Sequence, residues 1–577
     1  MEYNAKNKFK DASPYETINR IRNILYKFNI TVKESWNSEL TDGVYSVRIE
    51  IINTKIGTNG KGTTEIYALA SAYAELIERI TNCLLFPNWR TIGTELFTFF
   101  PDEEKVEIAE YYKTNPISDA IFKQLSTEKN EQVKLIQELC SEENKIMSIY
   151  FEDLLSGERF PIACKLVEDL YGSNGMAAGN TYEEALVQAI SEIFERYCLK
   201  QIISQELSPP DIPRDIIQKC YPEIYDYILR IEAKDNYLVR IRDCSLGLSF
   251  PVICTTIFDK EQQISCTNMG AHPDITIALE RSFTELFQGR RLGESWGSFS
   301  RQEDWNIFSQ DENVKKCNIM SLINNSGGYY PDKFYSQKYS YALNFDLFKQ
   351  KFCSNAEMLT YLSDLCKRNE FRIFVRKSNK LGFPTVYVII PGISEVWSYD
   401  KEAYNTSFAF KQVTDMINNI EQYPKDVIEN TLELVDISRK FLIVEPFFKE
   451  WGEMVFPGIY NFCLLLINTY YQIGALDKAI VFTYSLMTSN LPNNSRKLLK
   501  CLVNTLEIIR RGICDKSTIH EILSNFYREE IVTNALSIVL DKKPNLCNNI
   551  KTNTLNYSKI EKSIVMDLKK YMFSETK

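Results

Sequence analysis

The sequence predicts a mixed α/β (α+β) core of repeated strand–glycine loop–helix units, followed by an all-helical C-terminal domain. First, a β-type apolar run, a segment with Asn and Gly, and an amphipathic helix follow one another three times, from Val44, Arg159 and Ser249. Second, the glycine loops stop beyond about residue 445, and helical patterning continues alone. Strands that precede helices in this way predict helices packed on a sheet.

Each of the three helices carries the same polar spacing, with residues at i, i+4 and i+7. At about 100° per residue these positions fall within roughly 60° of the helix circumference, so each triad shares one face. An alanine stands three residues before each triad, at Ala68, Ala185 and Ala278. The triads are Ser71/Glu75/Glu78, Gln188/Glu192/Glu195 and Arg281/Glu285/Gln288.

Two interpretations of these faces compete. An ordinary amphipathic helix has a solvated acidic face, but such a face usually mixes Lys with Glu to form i,i+4 pairs. The polar wedge of the second helix contains no lysine, and the design recurs on two more helices. Matched carboxylates suit Mg²⁺, a hard cation that takes oxygen ligands and bridges phosphates. We therefore favour a nucleotide and metal site.

Glycines precede the first two helices. Gly57, Gly60 and Gly62 flank Lys61 in the first unit, and three more surround Asn174 in the second, at positions 172, 175 and 179. We predict loops that bring backbone amides close to an anion ahead of a helix. The alternative is a pair of ordinary turns.

Composition excludes several function classes. The net charge of −9 argues against a general polyanion binder, so no direct nucleic-acid contact is expected. No apolar run approaches the ~20 residues that span a bilayer, and the N-terminus lacks an apolar signal region, which predicts a cytoplasmic protein away from membranes. The 15 cysteines form no CxxC pair and predict free buried thiols. With only two histidines and no GxSxG elbow, carboxylates and basic residues must carry any chemistry.

The domain prediction follows the change in pattern. Residues 1–400 form the predicted nucleotide-binding core, 401–450 a helical connection, and 451–577 a helical C-terminal domain. Within the last of these, YYQIGALDKAI from Tyr470 resembles a tetratricopeptide hairpin, a partner-binding or dimerising module, and we expect a homodimer. A plain helical cap on the core is the alternative.

Three ordered motifs carry a family resemblance. They are TNGKGTT…ASAYAELIER from Thr58, SNGMAAGNTYEEALVQAISEIFER from Ser173, and MGAHPDITIALERSFTELFQGR from Met269. Together they resemble the YcaO family, and LGFPTVYVIIPGISEVW from Leu381 is similar to its Pro-Gly strand segment. The resemblance implies ATP- and Mg²⁺-dependent activation of a backbone amide in a protein or peptide substrate. The amide oxygen attacks the γ-phosphate, or is phosphorylated after a nucleophile adds, and an azoline or thioamide results.

The resemblance also implies the site residues. By motif, the Mg²⁺ ligands are Glu75, Glu78, Glu192 and Glu195. The nucleotide contacts are Ser71, Asn180, Glu184, Gln188, Arg196 and Arg281, with Glu285 nearby. The segment FKDASPYETI resembles the start of the family core, which puts Lys10 on the phosphates and Thr17, in place of a serine, beside the nucleotide. His272 is expected to pack or cap a loop.

The C-terminus bears on the subtype. Azoline-forming members typically end in a proline-rich tail, whereas this chain ends SIVMDLKKYMFSETK. The resemblance therefore favours the long bacterial members linked to β-methylthiolation of a small-subunit ribosomal protein, as accessory factors to a radical methylthiotransferase. The alternatives are thioamide or azoline synthesis on a ribosomally made peptide and, in another class, a nucleotide-binding scaffold without turnover.

Overall fold

The computed structural model divides into two compact units. Unit 1 comprises Met1–Tyr399 and Asn556–Lys577, and unit 2 comprises Asp400–Leu555. Apart from a few single positions, the structure describes residues 8–37, 44–87, 89–111, 115–122, 141–142, 144–234, 236–261, 263–287, 328–396, 422–424, 426–432, 466–487, 493–541 and 554–576. The mixed α/β core and the helical C-terminal region are confirmed, because every strand given below precedes residue 390.

The secondary structure of unit 1 alternates strands and helices. Its helices are α1 (Pro14–Lys27), α2 (Glu65–Thr81), α3 (Ile108–Tyr111), α4 (Pro116–Phe122), α5 (Cys164–Tyr171), α6 (Tyr182–Ser204), α7 (Arg214–Cys220), α8 (Pro222–Glu232), α9 (Ile275–Leu286) and α10 (Asn355–Arg368). Its strands are β1 (Val32–Trp36), β2 (Tyr45–Ile51), β3 (Gly57–Gly62), β4 (Glu104–Glu107), β5 (Ser141–Glu142), β6 (Lys145–Asp153), β7 (Arg159–Ala163), β8 (Met176–Ala178), β9 (Tyr237–Asp243), β10 (Val252–Asp259), β11 (Ile264–Ala271), β12 (Phe374–Ser378) and β13 (Thr385–Ile389).

These strands form three antiparallel sheets. One has the order β1-β2-β3, and a second has the order β11-β10-β9. The third has the order β4-β6-β12-β13-β8, with β5 and β7 also paired to β6. The strands β3, β8 and β11 end a few residues before α2, α6 and α9, the helices that carry the polar triads. The sheets therefore set where the triad helices begin.

Residues at the helix starts explain why the three helices begin there. The side chain of Thr64 accepts a hydrogen bond from the backbone N–H of Tyr67, and Thr181 accepts one from Glu184. Asp274 plays the same part for α9. Such side chains satisfy N–H groups that have no partner within the helix, which stabilises a helix by about 1 kcal/mol.

The predicted glycine loops are wrong in the first and third units, where the glycine segments are strands. Gly60 lies in β3 opposite Val47, and Gly270 lies in β11 opposite Ile253. A Cβ at Gly60 would lie 2.0 Å from the carbonyl oxygen of Ala68, and one at Gly270 would lie similarly close to α9. Glycine is required here for close approach of strand and helix rather than for a turn. The equivalence of the three units stays a prediction.

The second unit keeps a loop before its strand. Gly172 and Gly175 have positive φ values of 51° and 83°, which side chains with a Cβ rarely adopt. A helix, α5, lies between β7 and this loop, so the short connection predicted between strand and loop is wrong here. The buried side chain of Asn174 donates to the carbonyl oxygen of Ser394 at 2.7 Å. A hydrogen bond within the protein therefore holds this loop in place, and the role of Asn174 is structural.

Unit 2 is helical throughout its described part. Its helices are α11 (Leu476–Met487), α12 (Asn493–Arg510), α13 (Lys516–Ser524) and α14 (Glu529–Leu540), and residues 466–472 are also helical. Buried apolar side chains such as Ile467, Ala479 and Leu502 form its own core. Most of the predicted connection, 401–450, lies outside the described residues. The tetratricopeptide likeness stays a prediction.

The last helix, α15 (Thr554–Ser574), belongs mainly to unit 1. Tyr571 packs edge-on against Phe28 with ring centroids 5.2 Å apart, and the buried Lys569 donates to the carbonyl oxygen of Phe97 at 2.8 Å. The chain therefore returns to the first unit at its end. The predicted C-terminal domain, 451–577, groups these residues with unit 2 instead. Of the helices in the described ranges, none has the length and apolar character needed to cross a membrane.

Candidate functional site

The three triads lie on helices of unit 1. Ser71, Glu75 and Glu78 follow one face of α2, Gln188, Glu192 and Glu195 one face of α6, and Arg281 and Glu285 one face of α9. Gln288, the last member of the third triad, lies outside the described residues. Asn180 stands two residues before α6, Lys10 lies just ahead of α1, and Thr17 is in its first turn. Ser71 lies on α2, one helical turn before Glu75.

Four predicted nucleotide residues form one hydrogen-bonded group around Glu184. The Lys10 ammonium lies 3.0 Å from Glu184 Oε1, and the backbone N–H of Asp11 donates to Oε2 at 3.0 Å. Asn180 donates to the same carboxylate at 3.1 Å and accepts from the Thr17 hydroxyl at 3.0 Å. Two segments at least 163 positions apart in the chain, 10–17 and 180–184, thus meet at the start of α6.

The electrostatics of Glu184 follow from these partners. Burial raises the pKa of Glu184, but the Lys10 charge and the hydrogen bonds from Asp11, Lys10 and Asn180 together lower it below its ordinary value. The side chain is only 6% exposed, so it is held as a buried carboxylate by donors rather than by water. Glu184 therefore fastens the N-terminal segment, 8–13, onto α6.

We expect Glu184→Gln to loosen this segment and to remove an acid-sensitive part of its attachment. Because the pKa in the folded protein is lowered, the carboxylate contributes stability above its unfolded value, near 4.5, and loses it as the pH falls through the folded pKa. In wild type, hydrogen exchange at residues 8–13 should accelerate below about pH 4.5. The variant should exchange fast at every pH, whereas exposed Glu183→Gln should behave as wild type. Equal protection in all three proteins would contradict this role.

The four predicted metal ligands, Glu75, Glu78, Glu192 and Glu195, are hereafter the acidic cluster. On α2, Arg79 lies 3.7 Å from Glu75 and 3.6 Å from Glu78. On α6, Arg196 lies 2.8 Å from Glu192. Arg196, predicted to contact the nucleotide, therefore pairs with a member of the acidic cluster. Each arginine neutralises part of the acidic face on its own helix.

Charges from different helices act on one another within the acidic cluster. Burial raises the pKa of Glu78 to about 8, and the charges of Glu192 and Glu75 add to this shift. Burial raises the pKa of Glu195 to about 7, with a further contribution from Glu192. Because Glu78 is on α2 and Glu192 is on α6, the two faces converge within electrostatic range. Partly buried carboxylates whose charges act on one another are typical of sites that receive a cation.

The acidic cluster has the type of ligand that a divalent cation takes. Among the described residues, no three His, Cys, Asp or Glu side chains are close enough to enclose an ion in their present rotamers. Their chemistry nevertheless fits, because hard carboxylate oxygens suit Mg²⁺. Within the described part of the chain, the buried Nη1 atoms of Arg79 and Arg196 also lack a hydrogen-bond partner. Unpaired guanidinium donors beside carboxylates suit an added anion such as a phosphate.

Arg281 joins α9 to α6. Its guanidinium donates to the Gln188 side chain and, at 2.9 Å, to the carbonyl oxygen of Ala271. Burial lowers the pKa of Arg281, and the charges of Glu195 and other acids oppose this effect. Arg281 and Gln188, two predicted nucleotide residues, are therefore brought together by the fold.

His272 caps the loop before α9, as expected. Its Nδ1 accepts from the backbone N–H of Asp274 at 3.1 Å, and the residue is only 4% exposed. Burial, followed by the charges of Arg281 and Lys10, lowers the pKa of His272 well below its ordinary value. The ring is therefore neutral at physiological pH, which disfavours a role as a proton carrier.

The structure adds Lys61, which the sequence-based site did not include. Its ammonium forms an ion pair with Glu285, and burial lowers its pKa to about 8 against the opposing charges of Glu195 and Glu75. In the sequence, Lys61 stands between Gly60 and Gly62 ahead of α2. We interpreted this segment only as a loop and gave the lysine no role in the site. Its partner Glu285 lies 224 positions away, beyond any local pattern.

Comparison with known proteins identifies the family. A sequence model described as YcaO cyclodehydratase, ATP- and Mg²⁺-binding, matches residues 59–394, more than half of the chain. The chain belongs to the YcaO family. The expected cofactors, ATP and Mg²⁺, are confirmed at the level of this family. The matched residues include all three triad helices.

Two relatives match over most of the YcaO region. The ribosomal protein S12 methylthiotransferase accessory factor YcaO of Escherichia coli K12 is 29% identical over 412 residues, which is 67% of this chain. An uncharacterized protein of Haemophilus influenzae is 28% identical over 414 residues, 68% of this chain and 67% of its own length. The match spans 66% of the E. coli relative, just under two thirds of its length.

Solved structures resemble the chain more distantly. A heterocyclase in complex with substrate and cofactor has a TM-score of 0.48 and 16% identity, covering 68% of this chain and 54% of its own. YcaO from Methanopyrus kandleri bound with AMPPCP and Mg²⁺ has a TM-score of 0.42 and 15% identity, covering 67% and 92%. Assignment to the YcaO family rests on the sequence match alone.

Proposed function

We propose that this protein activates a backbone amide at the expense of ATP and Mg²⁺, as an accessory factor in β-methylthiolation of a small-subunit ribosomal protein. The substrate is then a protein, and the partner is a radical methylthiotransferase. The relative in E. coli, an accessory factor of the S12 methylthiotransferase, supports this choice among YcaO functions.

One observation carries the proposal. The charge of Glu192 on α6 raises the pKa of Glu78 on α2, so two helices that are far apart in the chain turn their acidic faces to one place. Like charges that are partly withdrawn from water are costly unless a cation or a function requires them. The acidic cluster is therefore best explained as a place for Mg²⁺, with the phosphates of ATP beside it.

The proposed chemistry assigns each group a task. Bound ATP and Mg²⁺ would supply a transferable phosphoryl group and the charge that neutralises it. The acidic cluster would hold the metal, and Lys10, Arg196 and Arg281 would bind and orient the nucleotide with the other predicted contacts. Phosphoryl transfer depends on positioning and charge neutralisation more than on a protein nucleophile. A protein with only two histidines can therefore support phosphoryl transfer, because the reaction does not need a histidine nucleophile or base.

Turnover separates an enzyme from a scaffold. We expect slow Mg²⁺-dependent ATP hydrolysis by the purified full chain, and its loss in Glu192→Ala, because that carboxylate is a proposed metal ligand. Phosphate release is the measurement, and exposed Glu183→Ala on the same helix is the matched control. Tight ATP binding without phosphate release would favour a nucleotide-binding scaffold instead.

Mass spectrometry tests the substrate. We expect the ribosomal protein to lose its mass increment for methylthiolation when the gene is deleted, and to regain it with wild type but not with Glu192→Ala. An unchanged ribosomal protein would exclude the accessory role. A thioamide or azoline mass change on a small peptide would support peptide modification instead.

A further inference from the structure

Lys61 lies where three helices bring their charges together. In β3, Thr58 and Gly60 face α2: the Thr58 hydroxyl donates to the carbonyl oxygen of Ala72 at 2.8 Å, and Gly60 approaches Ala68 closely. Side chains alternate between the two faces of a strand. Lys61 therefore leaves β3 on the face opposite to the one packed on α2.

The charges around Lys61 come from all three triad helices. Its ammonium pairs with Glu285 of α9, and the side chains of this pair are 21% and 25% exposed. The charges that act on it most are Glu195, Glu75, Arg281 and Glu192, given in decreasing order. The charges of three acids and one arginine thus act on a single lysine, in addition to its ion pair with Glu285.

We propose that Lys61 is a tethered counter-ion that competes with divalent metal for the acidic cluster and contacts phosphate oxygens once MgATP is bound. This inference rests on the proposed function, because it gives Lys61 a task at the same site. Without metal, the acidic cluster needs positive charge, and Arg79 and Arg196 supply it from its own helices. Lys61 supplies it from a separate strand.

The side chain suits exchange between two partners. A lysine carries a compact charge on a flexible stem, whereas arginine binds carboxylates in a fixed, planar geometry. Lys61 and Glu285 are also partly exposed, so separating them does not require opening the core. When a divalent cation neutralises the carboxylates, the attraction that holds Lys61 near them falls. Its ammonium is then available to the phosphates beside the metal.

The distinguishing experiment is a titration with Mn²⁺ alone, without nucleotide, followed by electron paramagnetic resonance of the free ion. We expect Lys61→Met to bind Mn²⁺ roughly tenfold more tightly than wild type, because a competing positive charge is removed. The same variant should bind MgATP roughly tenfold more weakly in calorimetric titration, because a charge-assisted phosphate contact is lost. A purely structural lysine would change both affinities in the same direction.

Three variants complete the design. Lys61→Arg keeps the charge and should leave the Mn²⁺ affinity near that of wild type. Lys55 is exposed in the loop that joins β2 and β3, and Lys55→Met removes an equal charge there. It should change neither the Mn²⁺ affinity nor the MgATP affinity. Lys61→Gln can still hydrogen-bond Glu285 and replaces Lys61→Met if that variant does not fold. Unchanged or weaker Mn²⁺ binding in the folded neutral variant would overturn the role of Lys61.

The proposed function has a separate test in the same titration. Glu78→Ala should bind Mn²⁺ more weakly than wild type, because it removes a proposed ligand. Equal affinity in wild type and Glu78→Ala, or no binding even in Lys61→Met, would overturn the metal site itself. Weaker binding in Glu78→Ala with no change in Lys61→Met would keep the metal site and reject only the counter-ion.

Discussion

Replacing Glu78 by alanine should reduce MgATP affinity by at least roughly 100-fold, because loss of even an outer-shell group costs 10–100-fold in metal affinity. The fold should persist, since partial burial of the Glu78 carboxyl, 13% exposed, raises its pKa to about 8. Removing such a group removes a desolvation cost. Calorimetric titration of ATP with Mg²⁺ and a thermal melt measure the two effects.

The control for Glu78→Ala stands on the same helix. Glu65 is exposed in the first turn of α2, away from the acidic cluster, and Glu65→Ala should bind MgATP as wild type does. Equal affinities in wild type and Glu78→Ala would reject the metal assignment for this residue. A large fall in melting temperature of Glu78→Ala would show that the carboxylate is structural.

Replacing Asp102 by alanine should destabilise unit 1 by about 3 kcal/mol, because it leaves a buried guanidinium without its counter-charge. The Arg376 side chain is 3% exposed, and its Nε donates to Asp102 at 3.0 Å while Nη2 makes a second bond. Its guanidinium also lies 5.0 Å from the ring centroid of Phe100. Because Asp102 is 34% exposed, we expect the lower end of the 3–5 kcal/mol typical of broken buried pairs.

An exposed ion pair provides the comparison for Asp102. Asp346 and Lys349 lie 2.8 Å apart with side chains 75% and 72% exposed. Exposed pairs contribute about 0–1 kcal/mol, so Asp346→Ala should be close to wild type in chemical denaturation. If the two alanine variants were equally stable, burial of Arg376 would not be the source of the effect.

Local patterns predicted the elements of the site well. The i, i+4, i+7 spacing marked one face on each of α2, α6 and α9, because helical geometry fixes which near neighbours share a side. Thr64, Thr181 and Asp274 are ordinary N-cap residues, and each begins its helix in the structure. The family resemblance, confirmed by the family match, added Lys10 and Thr17, which do meet Glu184 and Asn180.

The glycines were misassigned for a physical reason. A glycine before a helix can serve a turn, where positive φ is needed, or a contact, where a Cβ would collide. Gly175 allows the backbone to turn with a φ of 83°. Gly60 and Gly270 instead allow their strands to pack closely against α2 and α9. The contact partner is set by the packing of strand and helix, which glycine spacing alone does not specify.

Sequence alone determined the class of this protein: its helices, their acidic faces, and motifs ordered enough to mark the YcaO family. Tertiary structure decided which polar side chains act on one another, namely Lys61 with Glu285, Arg281 with Gln188, and Glu192 with Glu78. It also placed most of α15 in unit 1. Helical faces depend on neighbours a few residues apart, whereas these pairings join positions about 90 to 220 residues apart that only the folded chain brings within reach.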